Sequence, residues 1–538
     1  MQVHDCKKIN LLAKKKFFWK KFWFKSEVVW YNGDKDFVLS ILKGFDKLLP
    51  TPNSISKKLK NNKNTSVMFV GKRFSLIFTN FSRSHVIFFE KQKKELNISN
   101  DSNEFKKKIS SISTDSLRQL VICSYVLGHN TIYKNIKCMK PGEFILMREN
   151  KCYFSEYFQY HKTFQKINVK KKIYMNKLDE VINEIFGRLT KKLKNKNIFI
   201  PLSGGFDSRL VLAKLHEHGY KNIKCFSYGL KNNSDALIAK KVSKMIGVEW
   251  FFVDIKGMEY RDFYKSKEKK DFDKFSDNLQ VLPNYQDFLV IKKMKKLKII
   301  DKNSVIINGQ TGDFNTGNHI PENLFNHPNF RNFKKEIKKN FFYPIRVTNN
   351  NDNEIYIDKL LDKIIKCSEN KNIELFDLFE KWEYEERQSK YVVNGQKVYE
   401  FHNINWELPL WDGDFVKFWT TVPGKYRFNQ NLFREYLVQW NYSKVFNLKI
   451  DITSHTGFIY LFLRILSFAL NSLNFLVDKK FFLQYFDYFS RYGFSYHYFG
   501  FINFVLKRNK IKNPFGLHLL SWLEDKKLIQ LIKKEELL

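Results

Sequence analysis

The part of the sequence best equipped for chemistry is "PLSGGFDSRL" at residues 201–210, where two glycines stand among serines and an aspartate. An apolar run precedes this segment and residues with helical spacing follow it, which predicts a turn between a strand and a helix. Gly204 and Gly205 would let the backbone turn tightly and approach an anion closely. Because helix N-termini attract negative charge, the segment is predicted to bind phosphate groups.

The side chains around the glycines suit the same task. Ser203 and Ser208 supply hydroxyl donors, and Asp207 could hold a Mg²⁺ ion that neutralises phosphate charge. An ordinary strand-to-helix turn would explain the glycines but not these three side chains. No lysine follows the glycines, so the segment is not a GxxxxGK[ST] phosphate loop.

Strand-like and helix-like segments alternate around this loop. The apolar runs "NIFIP", "NIKCFSYG", "VEWFFVDI" and "NSVIING" read as strands. One helix is predicted from Ser208 to His218, and a second is predicted to begin at an N-terminal cap on Ser234 and to end at Gly247. This alternation predicts a parallel sheet with right-handed crossovers, with its ligand site at the carboxyl ends of the strands.

The chain is long enough for two or three domains. Short strand-like runs with turn residues before residue 165 predict an antiparallel sheet, and the chain after Ile355 reads as mostly helical. We therefore predict domains at residues 1–165 and 173–450, followed by a helical, aromatic and basic extension at 451–538.

Composition limits the possible partners. Lys and Arg total 94 against 55 acidic residues, a net charge of +39, but the lysines are spread along the whole chain with abundant Asn, Ile and Phe. A genome rich in A·T base pairs produces this bias, so no specific nucleic-acid partner is expected. Six dispersed cysteines argue against a disulfide framework or zinc site and suit a reducing cytoplasm.

Two segments of the chain bear on membrane association. No signal peptide is expected at the basic, aromatic N-terminus. The segment "FIYLFLRILSFALNSLNFLV" at 458–477 is interrupted by polar residues, which favours a buried or interfacial helix over a membrane span. The basic aromatic tail is expected to cap the preceding domain, with peripheral membrane contact as the alternative.

The SGGxDS pattern of residues 203–208 resembles the pyrophosphate-binding loop of the ATP pyrophosphatase class, whose members activate carboxyl or carbonyl groups by adenylation. The class includes asparagine synthetases, β-lactam synthetases, GMP synthetases and tRNA-modifying enzymes. The following stretch, "CFSYGLKNNSDALIAKKVSKMIG", is similar to the asparagine synthetase-like branch. This resemblance implies ATP as substrate and places Tyr228 and Gly229 beside adenine.

A second loop, "INGQTGDFNTG", looks like the SGEGSDE phosphate loop of that branch. The resemblance implies that Asn308 and Gly309 contact the nucleotide and that Asp313 joins Asp207 as a Mg²⁺ ligand. Gln310 departs from the pattern, which usually has an acid or tyrosine that deprotonates or positions the nucleophile. Glutamine cannot accept a proton at neutral pH, so either another residue is the base or the nucleophile is not ammonia.

The stretch from "EYEERQSKYVVNGQ" to "ELPLWDGD" resembles the helical half of the synthetase domain, with Glu407 where the family has arginine. Glu386, Arg387 and Lys390 are predicted to share one helical face, which either reaches the acyl-adenylate or forms a solvated charged surface. The family's late lysine, which stabilises departing pyrophosphate, has only Lys449 as a candidate.

The region before the synthetase domain carries a further resemblance. "SYVLGHNTIYKNIKCMKPGEFILM" and "NFSRSHVIFFEKQKKELNISND" are similar to parts of the glutaminase domain of these enzymes, which implies an Ntn-hydrolase-like α+β sandwich. Active glutaminases of this type use a cysteine at residue 2, whereas this chain has Gln2. The resemblance therefore implies an inactive domain, with nitrogen supplied as free ammonia, by a partner protein or as an amine on the acceptor.

Together these features predict an α/β protein in which an Ntn-type sandwich precedes an adenine-nucleotide α-hydrolase-like parallel sheet. The predicted activity is that of a cytoplasmic adenylating ligase that uses ATP and Mg²⁺ to join a small carboxylate to ammonia or an amine. Aspartate is the default acid, and a sugar acid of a surface polysaccharide is the alternative. A tRNA-modifying enzyme and a non-catalytic nucleotide-binding homologue are the rival functions.

Overall fold

The structure is a computed structural model. It describes residues 1–106, 111–160, 170–229, 233–342, 344–345, 350–369, 373–448, 511 and 515–535. The tail segment 458–477 and Lys449 lie outside these residues. No helix in the described part of the chain is long and apolar enough to cross a membrane.

The chain begins with two facing sheets that share a hydrophobic core. The strands are β1 (Gln2–Asp5), β2 (Lys8–Leu11), β3 (Lys20–Phe24), β4 (Glu27–Asn32), β5 (Ser66–Val70), β6 (Ser75–Phe78), β7 (Phe88–Gln92), β8 (Glu95–Ser99), β9 (Ile136–Cys138), β10 (Glu143–Arg148) and β11 (Lys151–Glu156). The first sheet has the order β1-β11-β10-β6-β5-β4-β3 and is antiparallel throughout. The second has the order β2-β8-β7-β9, and its β2–β8 pair is parallel.

Helices cover both outer faces of this pair of sheets. They are α1 (Lys35–Lys43), α2 (Pro52–Leu59), α3 (Asn103–Lys106) and α4 (Thr114–Cys123). Met68 and Ile77 of the first sheet pack against Leu96 and Ile98 of the second. Helices α1 and α2 share a core with the opposite face of the first sheet, and α4 shares one with β7 and β9 of the second. The predicted α+β sandwich is therefore confirmed as four layers, with one parallel strand pair that the sequence did not predict.

A parallel sheet follows, with helices between its strands. Its strands are β12 (Asn197–Pro201), β13 (Ile223–Gly229), β14 (Glu249–Asp254), β15 (Ser304–Ile307) and β16 (Asn405–Glu407). The order is β14-β13-β12-β15-β16, and all four pairings are parallel. The predicted parallel sheet is confirmed. Strands β13 and β14 lie on one side of β12, and the later strand β15 lies on its other side. The order in which strands are added therefore switches sides at β12, and ligands of open α/β sheets bind at such a switch point.

The remaining helices cover this sheet and extend beyond it. They are α5 (Lys171–Lys192), α6 (Phe206–Glu217), α7 (Ser234–Ile246), α8 (Gly257–Lys265), α9 (Lys267–Ser276), α10 (Phe288–Lys296), α11 (Gly312–Asn315), α12 (Glu322–Asn326), α13 (Phe330–Phe341), α14 (Asn350–Glu369), α15 (Leu375–Glu383), α16 (Lys397–Phe401), α17 (Gly413–Thr421), α18 (Gly424–Arg427), α19 (Asn431–Trp440), α20 (Phe515–Asp525) and α21 (Ile529–Lys534). A π-helix spans Tyr384–Val392, and short 3₁₀ turns span Val393–Gln396, Pro409–Trp411, Phe428–Gln430 and Tyr442–Asn447.

Two predicted helix starts differ from the structure. Helix α6 begins at Phe206, two residues before the predicted start, because Gly205 already has the extended backbone of an N-terminal cap. Helix α7 is capped by Asn233, whose side chain accepts the Ala236 N–H, and not by Ser234. Asparagine and serine are about equally good caps, so the sequence alone could not distinguish Asn233 from Ser234, and the prediction of Ser234 was wrong. Gly247 ends α7 in the left-handed conformation as predicted.

A buried charged cluster fixes α15 relative to the segment before α19. The Arg427 guanidinium is completely buried and donates to Glu380 at 2.6 Å and to Asp377 at 2.5 Å. Burial alone would lower the pKa of Arg427, but these two carboxylates raise it, so the guanidinium stays charged. The cluster holds α15, whose last residue is Glu383, against the residues that precede α19.

Arg427→Met should therefore be strongly destabilising, because it leaves two buried carboxylates without their partner. Removing one member of a buried ion pair costs about 3–5 kcal/mol of unfolding free energy. Chemical denaturation followed by tryptophan fluorescence measures the change. Arg331→Met, at an exposed position of α13, is the matched control. Equal denaturation midpoints for the two variants would contradict the assignment.

Candidate active site

A cavity of about 640 Å³ lies at the switch point of the parallel sheet. The loops after β12 and β15 form its floor, and the ends of α7 and β13 and the π-helix form its walls. The cavity is lined by Pro201, Leu202, Ser203, Gly205, Phe206, Asp207, Ser208, Ser227, Tyr228, Asn233, Asp235, Ala236, Gln286, Asp287, Asn308, Gly309, Gln310, Thr311, Asp313, Asn318, His319, Arg387, Gln388, Val392, Gln430 and Arg434.

The first loop is held in shape by its own serines. The Ser203 N–H donates to Ser208 Oγ at 3.1 Å, and the Gly205 N–H donates to Ser203 Oγ at 3.2 Å. The Gly204 N–H is directed away from this pair and donates to Asp235 Oδ1 at 3.0 Å. A Cβ at Gly204 would lie 2.7 Å from that same oxygen. Glycine at position 204 therefore allows α7 to pack closely against the first loop. The start of α6, in contrast, faces the cavity.

The second loop brings Asp313 against Asp207. The Asp313 N–H donates to Asp207 Oδ2 at 2.9 Å, although the two residues are 106 positions apart. A Cβ at Gly312 would lie 2.5 Å from Asp207 Cγ, and one at Gly309 would lie 2.9 Å from the Asp207 carbonyl carbon. Glycine is required at both positions because the backbone of the second loop packs directly on Asp207.

The two carboxylates differ electrostatically. Burial, followed by the charge of Asp313, raises the pKa of Asp207 well above its usual range. Burial also acts to raise the pKa of Asp313, but the hydrogen bond and charge of His319 outweigh it and lower that pKa. His319 Nε2 lies 3.0 Å from Asp313 Oδ2, so Asp313 is held as the charged member of the pair.

His319 is itself held between two acids. Its Nδ1 lies 2.8 Å from Glu383 Oε1, on the opposite side of the ring from Asp313. Burial acts to lower the pKa of His319, but Glu383 and Asp313 together raise it to about 10. The imidazole is therefore protonated at neutral pH. Arg387 contacts the same carboxylate, with Nη1 2.8 Å from Glu383 Oε1.

Asp207 and Asp313 fit a Mg²⁺ ion shared with phosphate oxygens. Asp207 Oδ1 is buried and has no hydrogen-bond partner among the described residues, so it is open to a cation. Nowhere in the described part of the chain do three or more His, Cys, Asp or Glu side chains form a metal cluster. Mg²⁺ needs only one or two carboxylates when substrate phosphates and water supply its remaining ligands.

The opposite wall of the cavity is built around Asp287. The Tyr228 and Tyr399 hydroxyls both donate to its carboxylate, one to each oxygen. Asn308 extends this network, because its side-chain amide donates to the Tyr399 hydroxyl at 3.2 Å. Burial raises the pKa of Asp287, and the two tyrosine hydrogen bonds oppose that rise. The wall thus presents an aromatic ring beside a polar network, a surface suited to a nucleobase.

A family model described as asparagine synthase matches residues 194–441, slightly less than half of the chain. These residues form an asparagine synthase-family domain. The match begins just before β12 and ends just after α19, so it contains both loops and the π-helix. We call this segment the synthase domain.

Two solved structures resemble parts of the chain. One is an NMN synthetase from Francisella tularensis, with 16% identity over 28% of this chain and 58% of that one, at a TM-score of 0.19. The other is an NH₃-dependent NAD synthetase from Campylobacter jejuni, with 14% identity over 38% of this chain and 84% of that one, at a TM-score of 0.20. This chain thus spans little more than half of the first. No curated protein sequence matches the chain.

The synthase domain gathers most of the predicted residues around the cavity. Those that line it are Ser203, Gly205, Asp207, Ser208, Tyr228, Asn308, Gly309, Gln310, Asp313 and Arg387. Gly204 packs beneath the first loop, and Gly229 ends β13 with a positive φ of 112°. Lys449 lies outside the described residues.

Glu386 and Lys390 are separated from the cavity. They pair with each other at 2.5 Å and face the sandwich, where Glu386 accepts the Gly128 N–H at 3.0 Å and Lys390 donates to the Val126 carbonyl at 2.7 Å. The expectation that they share a face with Arg387 is wrong, because the π-helix turns Arg387 toward the cavity. In the structure the pair joins the synthase domain to the preceding region.

Several cavity residues have no counterpart in the sequence-based prediction: Asp235, Gln286, Asp287, His319, Gln388 and Arg434. Asp235 and His319 carried weak signals, since one lies in the first turn of a predicted helix and the other lies two residues after the second loop, "INGQTGDFNTG". Asp287 had none, because the segment around it has no recognisable motif. Only the packing of α10 brings it to Tyr228.

Gly312→Ala should impair nucleotide binding without unfolding the protein. The added Cβ would push the second loop away from Asp207, and we expect MgATP affinity to fall about tenfold or more, equivalent to about 1.4 kcal/mol. Isothermal titration calorimetry measures the affinity. Gly187→Ala is the control, since its Cβ would meet only His218 at 3.8 Å. Unchanged affinity in Gly312→Ala would show that the contact with Asp207 is dispensable.

Proposed function

We propose that this protein is an adenylating ligase that couples ATP cleavage to the formation of an amide. The observation that carries the proposal is the meeting of Asp207 and Asp313, from two loops at the switch point, with Asp207 Oδ1 open to a cation. The match of residues 194–441 to the asparagine synthase family supports an ATP-using, amide-forming synthetase.

We propose a position in the cavity for each part of ATP. The wall of Tyr228 and Asp287 suits the adenine ring, which would then extend the phosphates toward the start of α6. Ser203 and Ser208 would donate to phosphate oxygens, and the dipole of α6 adds positive potential there. Asp207 and Asp313 would hold Mg²⁺, which when bound neutralises phosphate charge and supports the departure of pyrophosphate.

Cationic side chains line the side of the cavity away from adenine. Arg434 lines the cavity with its guanidinium 5.8 Å from the ring centre of Phe206, beside the first loop. It is a candidate for the charge that stabilises departing pyrophosphate. Arg387 and the protonated His319 lie nearer the second loop, where they balance Asp313 and Glu383. We propose that the acid to be activated binds between these two groups of side chains.

The reaction would run in two steps. The carboxylate of the acceptor attacks the α-phosphorus of ATP, the bond to the β-phosphate oxygen breaks, and pyrophosphate leaves. An amine or ammonia then attacks the acyl carbon, AMP leaves with the electrons of the broken carbon–oxygen bond, and one proton is released. Aspartate and a sugar acid of a surface polysaccharide both remain proposals for the acceptor.

We also propose that nitrogen reaches the site from outside the sandwich. Residue 2 is glutamine, and it lies at the start of β1, an exposed edge strand paired with Phe154 of β11. The cysteines of the sandwich, Cys6, Cys123, Cys138 and Cys152, are all buried, so none presents the exposed thiolate that a glutaminase nucleophile needs. Ammonium salts, but not glutamine, should support amide formation.

ATP–pyrophosphate exchange tests the activity. We expect Mg²⁺-dependent exchange with at least one acid from a panel of amino acids and uronic acids. Asp207→Ala and Asp313→Ala should each lower it by more than about a hundredfold, since even outer-sphere partners of a metal contribute 10- to 100-fold. Asp271→Ala, at an exposed position of α9, should leave it unchanged. Exchange with none of the acids would favour a non-catalytic nucleotide-binding role.

A further inference from the structure

Arg209 is a buried cation directly behind the first loop. It lies in the first turns of α6, and its side chain is completely buried. Long side chains of a helix point back toward its N-terminus, so the guanidinium of Arg209 lies beside the residues that precede α6. Its central carbon is 5.5 Å from the ring centre of Phe206, the first residue of α6, which lines the cavity.

The guanidinium joins the first loop to the segment after α19. Nη2 of Arg209 donates to the Gly204 carbonyl, and Nη1 donates to the Val445 carbonyl at 3.0 Å. Val445 belongs to the 3₁₀ turn at Tyr442–Asn447. Because a guanidinium presents its donors in a planar, fixed fork, this one side chain holds both carbonyls at a set separation.

The hydrogen bond to Gly204 also determines which way the next amide points. A trans peptide unit is planar, and its C=O and N–H point in opposite directions. The Gly204 carbonyl and the Gly205 N–H belong to one trans unit, so a carbonyl held toward Arg209 directs the N–H away from Arg209. The Gly205 N–H is directed at Ser203 Oγ, 3.2 Å away, and both Ser203 and Gly205 line the cavity.

The charge of Arg209 has no ion-pair partner among the described residues. Both Nη atoms donate to backbone carbonyls, and Nε is buried without a hydrogen-bond partner. Burial lowers the pKa of Arg209, and the charge of Asp235 opposes that effect. Arginine stays charged in proteins, and a buried charge without a paired counter-charge is unfavourable. A phosphate group bound to the first loop would supply the missing counter-charge.

We propose that Arg209 is a positioning residue for pyrophosphate, the leaving group of the reaction. It holds the 204–205 peptide so that the Gly205 N–H and Ser203 Oγ face the cavity, and it adds positive potential behind them. The inference rests on the proposed ligase function. Binding of the adenosine part of the nucleotide, at the wall of Tyr228 and Asp287, should not depend on Arg209.

Arg209→Met tests this role, because methionine fills part of the space and removes both the donors and the charge. We expect the affinity for magnesium pyrophosphate to fall about tenfold or more, while the affinity for AMP stays within about twofold. Isothermal titration calorimetry on the full chain measures both affinities. Arg209→Lys keeps the charge but has no fork to hold two carbonyls, so its pyrophosphate affinity should lie between those of the wild-type protein and Arg209→Met.

Lys214→Met is the matched control. Lys214 is a second buried cation of α6, 1% exposed, and it donates to Asn183 and Glu217. None of these three residues lines the cavity. Both methionine variants remove a buried charge from the same helix, so both should lower the midpoint of chemical denaturation. Only Arg209→Met should weaken the binding of pyrophosphate.

Two results would overturn the inference while leaving the ligase function intact. Equal losses of AMP and pyrophosphate affinity in Arg209→Met, with the same losses in Lys214→Met, would assign Arg209 to stability alone. Unchanged pyrophosphate affinity in both Arg209 variants would show that the first loop keeps its shape without this side chain. A wild-type protein that binds neither ligand would instead contradict the proposed function.

A second measurement needs no variant and therefore applies even where Arg209→Met does not fold. In crystals of the wild-type protein soaked in magnesium pyrophosphate, we expect a pyrophosphate oxygen within about 3.2 Å of the Gly205 nitrogen. Arg209 should still donate to the Gly204 carbonyl in that complex. Pyrophosphate bound elsewhere in the cavity, or a Gly205 N–H turned away from it, would overturn the inference.

Discussion

The approach of Asp207 to Asp313 is the contact on which the rest of the candidate site depends. Two carboxylates this close repel each other, and the fold offsets this in two ways. A backbone N–H of one loop donates to the carboxylate of the other, and His319 keeps Asp313 charged while Asp207 is the member whose pKa rises. Gly309 and Gly312 permit the contact because any side chain there would meet Asp207. The remaining free oxygen is what makes the pair suited to a cation.

The elements around this contact are fixed by buried polar interactions. Gln430 donates to Thr316 at 2.7 Å, and a Cβ at Gly317 would collide with the Arg427 carbonyl at 2.5 Å, so the chain before α19 supports the second loop. Arg427 in turn fixes α15 through Asp377 and Glu380. Helix α15 continues into the π-helix that presents Arg387 and Gln388 to the cavity. A buried ion-pair cluster thus fixes the positions of the site residues. Such pairs are specific in geometry even where their net stabilisation is small.

The sandwich and the synthase domain are packed together. One hydrophobic core contains side chains of β7, α4, α13, α15 and α20, which come from distant parts of the chain. The buried pair of Glu386 and Lys390 adds polar contacts to the backbone at 126–128. Arg83 of the sandwich is likewise buried and donates to Gln280 at 2.5 Å. The sandwich therefore supports the π-helix from behind, a structural role that needs no glutaminase chemistry.

The local features of this protein could be predicted from its residues alone. The glycines, serines and aspartates of the two loops and the alternation of strands and helices follow from short-range patterns, and the structure contains them. Short-range patterns could not show that Glu386 and Lys390 face the sandwich, because a charged helix reads alike whichever side is buried. They could not show Asp287, His319, Glu383 and Gln388 as one site either. Those residues meet only through the packing of α10, the second loop and a π-helix, whose five-residue spacing no α-helical pattern predicts.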